Sequence, residues 1–176
     1  FDTGGEAVLV DAEAYCRSMV WVGVTNSPSL SSLSTGTILN VYGSMILEPG
    51  MHYDFDGRLE FESNLLGNTI DVAGHTLDHN LYFYGAGGGW TMQSDVWLEY
   101  DLTLDEGALN TNGYSLDVRR FYSRSSSHRS LTLGSSTVTT HYSSCCSGYG
   151  CNSSTQTVWD IDCLLYTSPS PRDLAV

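Results

Sequence analysis

Apolar and polar residues alternate with a period of two along most of the chain. Met51, Tyr53 and Phe55, then Leu59 and Phe61, share one parity, while their neighbours His52, Asp54, Asp56, Glu60 and Glu62 are polar. The pattern continues through Ile70 with Val72, Leu81 with Phe83, the run Val96, Leu98, Tyr100, Leu102 and Leu104, then Leu116 with Val118 and Leu131 with Leu133. Successive side chains on a strand point to opposite sides, so each segment is predicted as a strand with one buried and one wet face. No segment holds a helical period between caps. Ala7 to Ala14 has the length for a short helix, but Ala7-Val8-Leu9-Val10 reads better as a strand. Turn chemistry punctuates the strands at Gly43, Pro49-Gly50, Gly57, Gly67-Asn68, Gly74, the glycine-rich run 85–89, Gly107, Asn112-Gly113 and Gly134.

The spacing of these breaks adds a higher-order period. Val41-Tyr42-Gly43, Phe55-Asp56-Gly57, Val72-Ala73-Gly74 and Phe83-Tyr84-Gly85 repeat an apolar-x-Gly corner. Phe61, Phe83 and Leu104 follow one another at a nearly constant interval, and Leu102-Thr103-Leu104 recurs as Leu131-Thr132-Leu133. Degenerate repeats of roughly 20 residues point to a solenoid in which each coil buries its face on the next. The predicted fold is therefore all-β: a single-stranded, right-handed parallel β-helix of about seven coils, about 35 Å long at a sheet spacing of about 4.8 Å. A β-sandwich is the alternative, since it also yields short alternating strands.

Composition narrows the function classes. The 176 residues carry 20 acidic against 7 basic side chains, a net charge of −13, and every basic residue is Arg. Such a surface repels phosphate, so nucleic acid is not an expected partner. Solubility explains the acidity, and adaptation to a salty medium is the sharper account. No apolar run approaches the roughly 20 residues of a membrane span, and no signal peptide follows Phe1.

The end of the chain is set apart. Cys163-Leu164-Leu165-Tyr166-Thr167-Ser168-Pro169-Ser170-Pro171-Arg172-Asp173 resembles translated sequencing-library adaptor, because a codon choice exists that spells a transposon end plus adaptor. Residues 1–162 are accordingly expected to be one solenoid fragment, and residues 163–176 an artefact outside the native protein, with Cys163 not a natural cysteine. A prism cut at both ends exposes edge strands, so this piece alone is expected to aggregate.

Gly85-Ala86-Gly87-Gly88-Gly89-Trp90-Thr91-Met92-Gln93 resembles the glycine-rich turn and W-T-L-Q strand of repeat proteins on Bacteroidetes-type cell surfaces. Gly107-Ala108-Leu109-Asn110-Thr111-Asn112-Gly113 resembles their G-T-L-N-T-N-G corner, and Arg129-Ser130-Leu131-Thr132-Leu133-Gly134 the coil that follows. The segments Cys16 to Trp21, Thr25-Asn26-Ser27-Pro28 and Leu39-Asn40-Val41-Tyr42-Gly43-Ser44 resemble the opening of the same array. The resemblance covers about residues 7 to 140. It departs at Met92, in the many Asp and Glu residues, and in the cysteine-bearing insert after Ser144. It implies a non-catalytic, extracellular structural or adhesive region of a bacterial surface protein, exported by type IX secretion. It carries over no catalytic residue. A carbohydrate-binding region, or a fragment of a polysaccharide-active β-helix enzyme, is the alternative.

Candidate chemistry is weighed on the same residues. The 85–89 run lacks the Gly-Lys-Ser/Thr and helix of a phosphate loop and reads as a tight corner. Cys16, Cys145, Cys146 and Cys151 suggest disulfides outside the cell, with three connectivities open. Free thiols are the second reading, and three thiolates with His141 are the crowded zinc alternative. Asp54, Asp56, Glu60 and Glu62 are the densest carboxylates and are expected on a solvated outer face, without a basic partner on one sheet. His52, His75, His79 and His128 are scattered. No catalytic, cofactor-binding or metal-binding residue is assigned. The sharpest expectation is a stripe formed by Tyr42, Tyr53, Tyr82, Tyr84, Tyr100, Tyr114 and Tyr122, whose rings suit contact with surface glycans.

Overall fold

The computed structural model describes residues 7–141, 159–161 and 165–167. They form a parallel β-solenoid of about six turns, with no helix among the described residues. Each coil lays down three short strands, so the prism has three faces. The first face carries two ladders: β1 (Ala7–Val10), β4 (Ser29–Ser32) and β7 (His52–Asp54) form one, and β10 (Thr76–Leu77), the start of β12 (Val96–Asn110), the start of β13 (Leu116–Ser123) and β15 (Val138–Thr140) form the next. The second stacks β2 (Ala14–Cys16), β5 (Ile38–Val41), β8 (Arg58–Phe61), the start of β11 (Leu81–Met92), the middle of β12, the end of β13 and β16 (Trp159–Ile161). The third stacks β3 (Met19–Val20), β6 (Met45–Ile46), β9 (Asn68–Asp71), the ends of β11 and β12, β14 (Arg129–Thr132) and β17 (Leu165–Thr167). Every pairing among the described strands is parallel, which replaces the antiparallel sandwich alternative.

In-register stacking converts the period-two pattern into columns. On the second face Ala14, Leu39, Leu59, Leu81, Leu102 and Phe121 form one inward column. Cys16, Val41, Phe61, Phe83 and Leu104 form another. Leu39 through Phe121 and Val41 through Leu104 are buried. The intervals from Phe61 to Phe83 and from Phe83 to Leu104 are thus true coil lengths. Two other sequence repeats are not. Gly43 and Gly85 turn from the second face to the third, but Gly57 follows the first face and Gly74 follows the third, so the apolar-x-Gly motif marks three different corners. Leu102-Thr103-Leu104 lies on the second face and Leu131 with Thr132 on the third. Seven described strands stack on each face, which makes about six turns against the seven coils expected. Phe121 pairs with Trp159, a far larger step along the chain than those from Leu81 to Leu102 and from Leu102 to Phe121.

The corners show why particular residues sit there. From the third face to the first, Ala73 and Gly74 both have positive φ, as do Asn112 and Gly113. The Asp71 carboxylate accepts from Ala73 N at 2.9 Å, and the Asn110 side-chain oxygen accepts from Asn112 N at 2.9 Å, the same side-chain-stabilised turn in two coils. The 85–89 run serves a different need. Trp90 packs its ring into this corner and sends its indole N–H across two coils to Gly43 O at 3.0 Å. A side chain on Gly85 or Gly88 would overlap the Ser63 carbonyl and the Trp90 ring.

Two buried polar side chains, Arg129 and His79, are matched by hydrogen bonds. Arg129, 3% exposed, donates to Ser123 Oγ at 2.5 Å and Ser123 O at 2.7 Å, and also to the carbonyls of Ser125 and Ser127. His79 is buried beside Phe55, and its Nδ1–H donates to Asn80 O at 3.0 Å. That tautomer leaves Nε2 to accept from Tyr53 O–H at 2.7 Å. Burial lowers the imidazole pKa from 6.5 to about 4, against the weaker pull of Asn80 O and Asp56. Above pH 6.5 the ring is neutral in both folded and unfolded chains and stability is independent of it. Between 6.5 and about 4 the unfolded chain binds a proton that the folded chain refuses, so stability falls on acidification, by about 3 kcal/mol in all, and levels off below. Burial raises the pKa of Glu60 and Asp105, which favours the folded state on acidification and opposes this trend. His79→Gln therefore isolates the effect: urea unfolding from about pH 7.5 to about pH 4.5 is expected to show a shallower loss of stability in the variant. An unchanged slope would remove His79 as its source.

Cys16 is half-buried with no disulfide among the described residues, and burial pushes its thiol pKa up. Cys145, Cys146, Cys151 and Cys163 lie outside the described residues. Leu165–Thr167, within the adaptor-like segment, pairs its backbone with β14. An open parallel edge accepts any extended chain, so this pairing is indifferent to the segment's origin.

Candidate functional site: a tyrosine-lined sheet face

The outward residues of the second face stack as regularly as the inward ones. Tyr15, Asn40, Glu60, Tyr82, Thr103 and Tyr122 follow one another up the sheet. Tyr42 and Tyr84 occupy the next outward position in two of these coils, beyond Asn40 and Tyr82. Tyr100 stands at the corner to the first face. Tyr15, Tyr42 and Tyr100 are exposed at 63%, 42% and 41%. Five of the seven tyrosines expected in the stripe thus gather here. Tyr53 and Tyr114 do not, because both pack against the core. Tyr15 was not anticipated. Its parity on the short strand after Ala14 was the available signal.

Arginines and carboxylates thread between the rings. The Arg58 guanidinium lies 4.0 Å from the Tyr82 ring centroid, donates to Tyr84 Oη at 2.9 Å and pairs with Glu60. Tyr82 and Tyr84 stack at 5.5 Å with planes 21° apart. Two coils beyond Tyr82, Arg120 holds Asp101 through Nε at 2.9 Å and Nη2 at 2.5 Å and reaches over Tyr122 at 5.3 Å. Arg119 lies 5.9 Å from Tyr100. These contacts hold the Tyr82, Tyr84 and Tyr122 rings before any ligand arrives, which lowers the entropy lost on binding. Hydrogen bonding to Glu62 raises the Tyr42 pKa to about 12, and hydrogen bonding to Glu13 raises that of Tyr15. Both phenols therefore stay protonated donors at neutral pH. Beside Tyr82 a groove of about 490 Å³ runs along the corner, lined by Asp56, Arg58, Asp78, Asn80 and Tyr100 among others.

The expected carboxylate quartet is divided. Gly57 turns the chain between its halves, leaving Asp54 on the first face and Asp56 hydrogen-bonded to Ser32, while Glu60 and Glu62 lie on the second. Glu60 is buried rather than solvated, at 8% exposure, because Arg58 folds against it. Burial raises its pKa, Arg58 opposes, and Glu62 and Glu13 add to the rise. The sheet thus assembles three carboxylates and an arginine, contrary to the expectation of no such group. Coil stacking brings Glu13 to a pair of residues two coils on, beyond the reach of local pattern. His52 and His128 are exposed, and His75 Nε2 contacts Glu48 O at 2.9 Å. Among the described residues no three His, Cys, Asp or Glu side chains are placed to hold a metal ion.

Flat amphipathic rings, paired charges and the Asn40 and Asn80 amides can do one thing well. Rings stack on the C–H faces of sugars, and the polar groups exchange hydrogen bonds with hydroxyls. Comparison with protein-family models, curated proteins and solved structures finds no match.

Proposed function

We propose that this chain is a rigid, non-catalytic region of a bacterial cell-surface protein of the Bacteroidetes repeat type, and that its tyrosine face contacts surface glycans. The observation that carries the glycan reading is the alignment of Tyr15, Tyr42, Tyr82, Tyr84 and Tyr122 on one sheet, with Arg58 clamped across two of them. The extracellular, type IX-exported setting rests on the sequence resemblance. The acidic surface argues against nucleic acid, and no helix among the described residues is long and apolar enough to cross a membrane. The test is a glycan array followed by calorimetry on any hit. Tyr42→Ala with Tyr100→Ala removes two exposed rings without touching the core and is expected to weaken binding at least about tenfold, or about 1.4 kcal/mol. Unchanged affinity in the double variant would discard the tyrosine face as the contact.

The Glu13, Glu60, Glu62 and Arg58 group favours a second reading, a polysaccharide-active site. Reducing-sugar release or unsaturated-product absorbance that Glu60→Gln abolishes would move that reading ahead.

A further inference from the structure

A second aromatic platform stands on the first face, apart from the tyrosine sheet. Trp97 is an outward residue of β12, half exposed at 50%, while Trp21 and Trp90 are buried. Its ladder neighbours are Thr76 and Asp117, both too small to cover an indole. The ring is nevertheless held in place. Its N–H donates to Glu99 Oε1 at 3.0 Å. The His141 ring stacks on it at 5.9 Å with planes 28° apart, and His141 Nδ1 is bonded to Asp117 Oδ1 at 2.5 Å. Residues of three successive coils therefore lock one exposed tryptophan.

Beside this ring runs a groove of about 400 Å³, lined by His75, Asp95, Ser115, Asp117, Thr137 and Thr139 among others, over a floor that includes Val96 and Leu116. These residues come from four successive coils, so the groove follows the solenoid axis. Three steps at the sheet spacing give it a length of about 14 Å. We propose that this groove is a binding subsite for a neutral oligosaccharide lying along the axis, with one pyranose ring stacked on Trp97. The indole offers an apolar platform to a sugar's C–H face. The carboxylates of Asp95 and Asp117 and the hydroxyls of Ser115, Thr137 and Thr139 offer partners for sugar hydroxyls at three of the four coils. The ligand is neutral because two carboxylates and no arginine line the groove among its described residues, on a chain of net charge −13. This site is independent of the tyrosine face.

The test is calorimetry of the full chain with the mono- to tetrasaccharides of cellulose, xylan, mannan and chitin, and with tetragalacturonate as the anionic comparator. At least one neutral tetrasaccharide is expected to bind, at least about tenfold more tightly than its monosaccharide. Trp97→Ala should weaken it by a further factor of about ten or more, Trp97→Phe less, and Asp117→Asn measurably, with circular dichroism unchanged. Tyr42→Ala with Tyr100→Ala should leave this binding intact. The inference is overturned if no neutral tetrasaccharide binds at about 10 mM, if tetragalacturonate binds more tightly than all of them, or if Trp97→Ala binds as the parent does. Binding that is lost in the tyrosine variant and kept in Trp97→Ala would overturn this subsite while supporting the tyrosine face.

Discussion

Gly88→Ala is expected to destabilise the solenoid by at least about 3 kcal/mol, near the upper range for a single substitution. At this corner successive coils approach so closely that a methyl group on Gly88 would overlap the Ser63 carbonyl of the preceding coil and meet the Trp90 ring at 3.0 Å. Ser63 is itself buried, at 2% exposure. A backbone carbonyl cannot rotate aside as a side chain can, so relief requires the coils to part. Parting them strains the Trp90 indole bond to Gly43 O and the bond from Gly89 N to Leu65 O at 3.1 Å. The neighbouring Gly87 supplies the control. It has a φ of +77° and open space around it, its nearest outside atom being Asn64 O at 3.9 Å. Gly87→Ala incurs only the left-handed backbone penalty, about 1–2 kcal/mol. Thermal and urea unfolding followed by circular dichroism should rank Gly88→Ala far below Gly87→Ala. Equal effects would mean that the coils do not approach so closely.

Phe83→Ala is expected to cost about 3–5 kcal/mol, and Phe83→Leu under about 1.5 kcal/mol. Phe83 is fully buried, stacks on Phe61 at 5.1 Å and meets Trp90 edge-on at 5.3 Å. Its column runs Val41, Phe61, Phe83, Leu104, with the aromatic pair in the middle. Truncation leaves a cavity that two neighbouring coils must line, and coils in a solenoid contact only their neighbours, so the array is weakened at its centre. Leucine already fills the same position one coil on, as Leu104, and should be accommodated. The same unfolding measurements decide the matter. A loss below about 2 kcal/mol on truncation would show that the column is not a close-packed core.

The glycine-rich run shows how far local reading reaches. Its sequence excluded a phosphate loop and marked a tight corner. That the corner is tight because Trp90 and Ser63 crowd it depends on residues of adjacent coils, far apart along the chain. The tyrosines divide in the same way. Parity placed Tyr53 with Met51 and Phe55 on the inward side, and its hydrogen bond to buried His79 agrees with that reading, not with the stripe. Tyr82 and Tyr84 were legible as outward from Leu81 and Phe83, whereas Tyr122 was not, because the parity of Leu116 and Val118 is broken before buried Phe121. The partnership of these rings with Arg58 and Arg120 was not legible either, since it follows from stacking between coils.

The amino-acid sequence by itself determined that this protein is all-β, where most of its strands lie, which parity faces inward on most of them, and that the coils in the middle of the chain recur at a nearly constant interval. Those properties are local: alternation has a period of two and sharp corners require glycine or asparagine. Only the tertiary structure decided which corners are equivalent, that the coils number about six, that Glu13 joins Glu60 and Glu62, and that Trp97 stands over a groove with His141 behind it. Parallel register depends on the length of each corner and the closeness of each approach. A shift of a single position between coils redirects every side chain that follows.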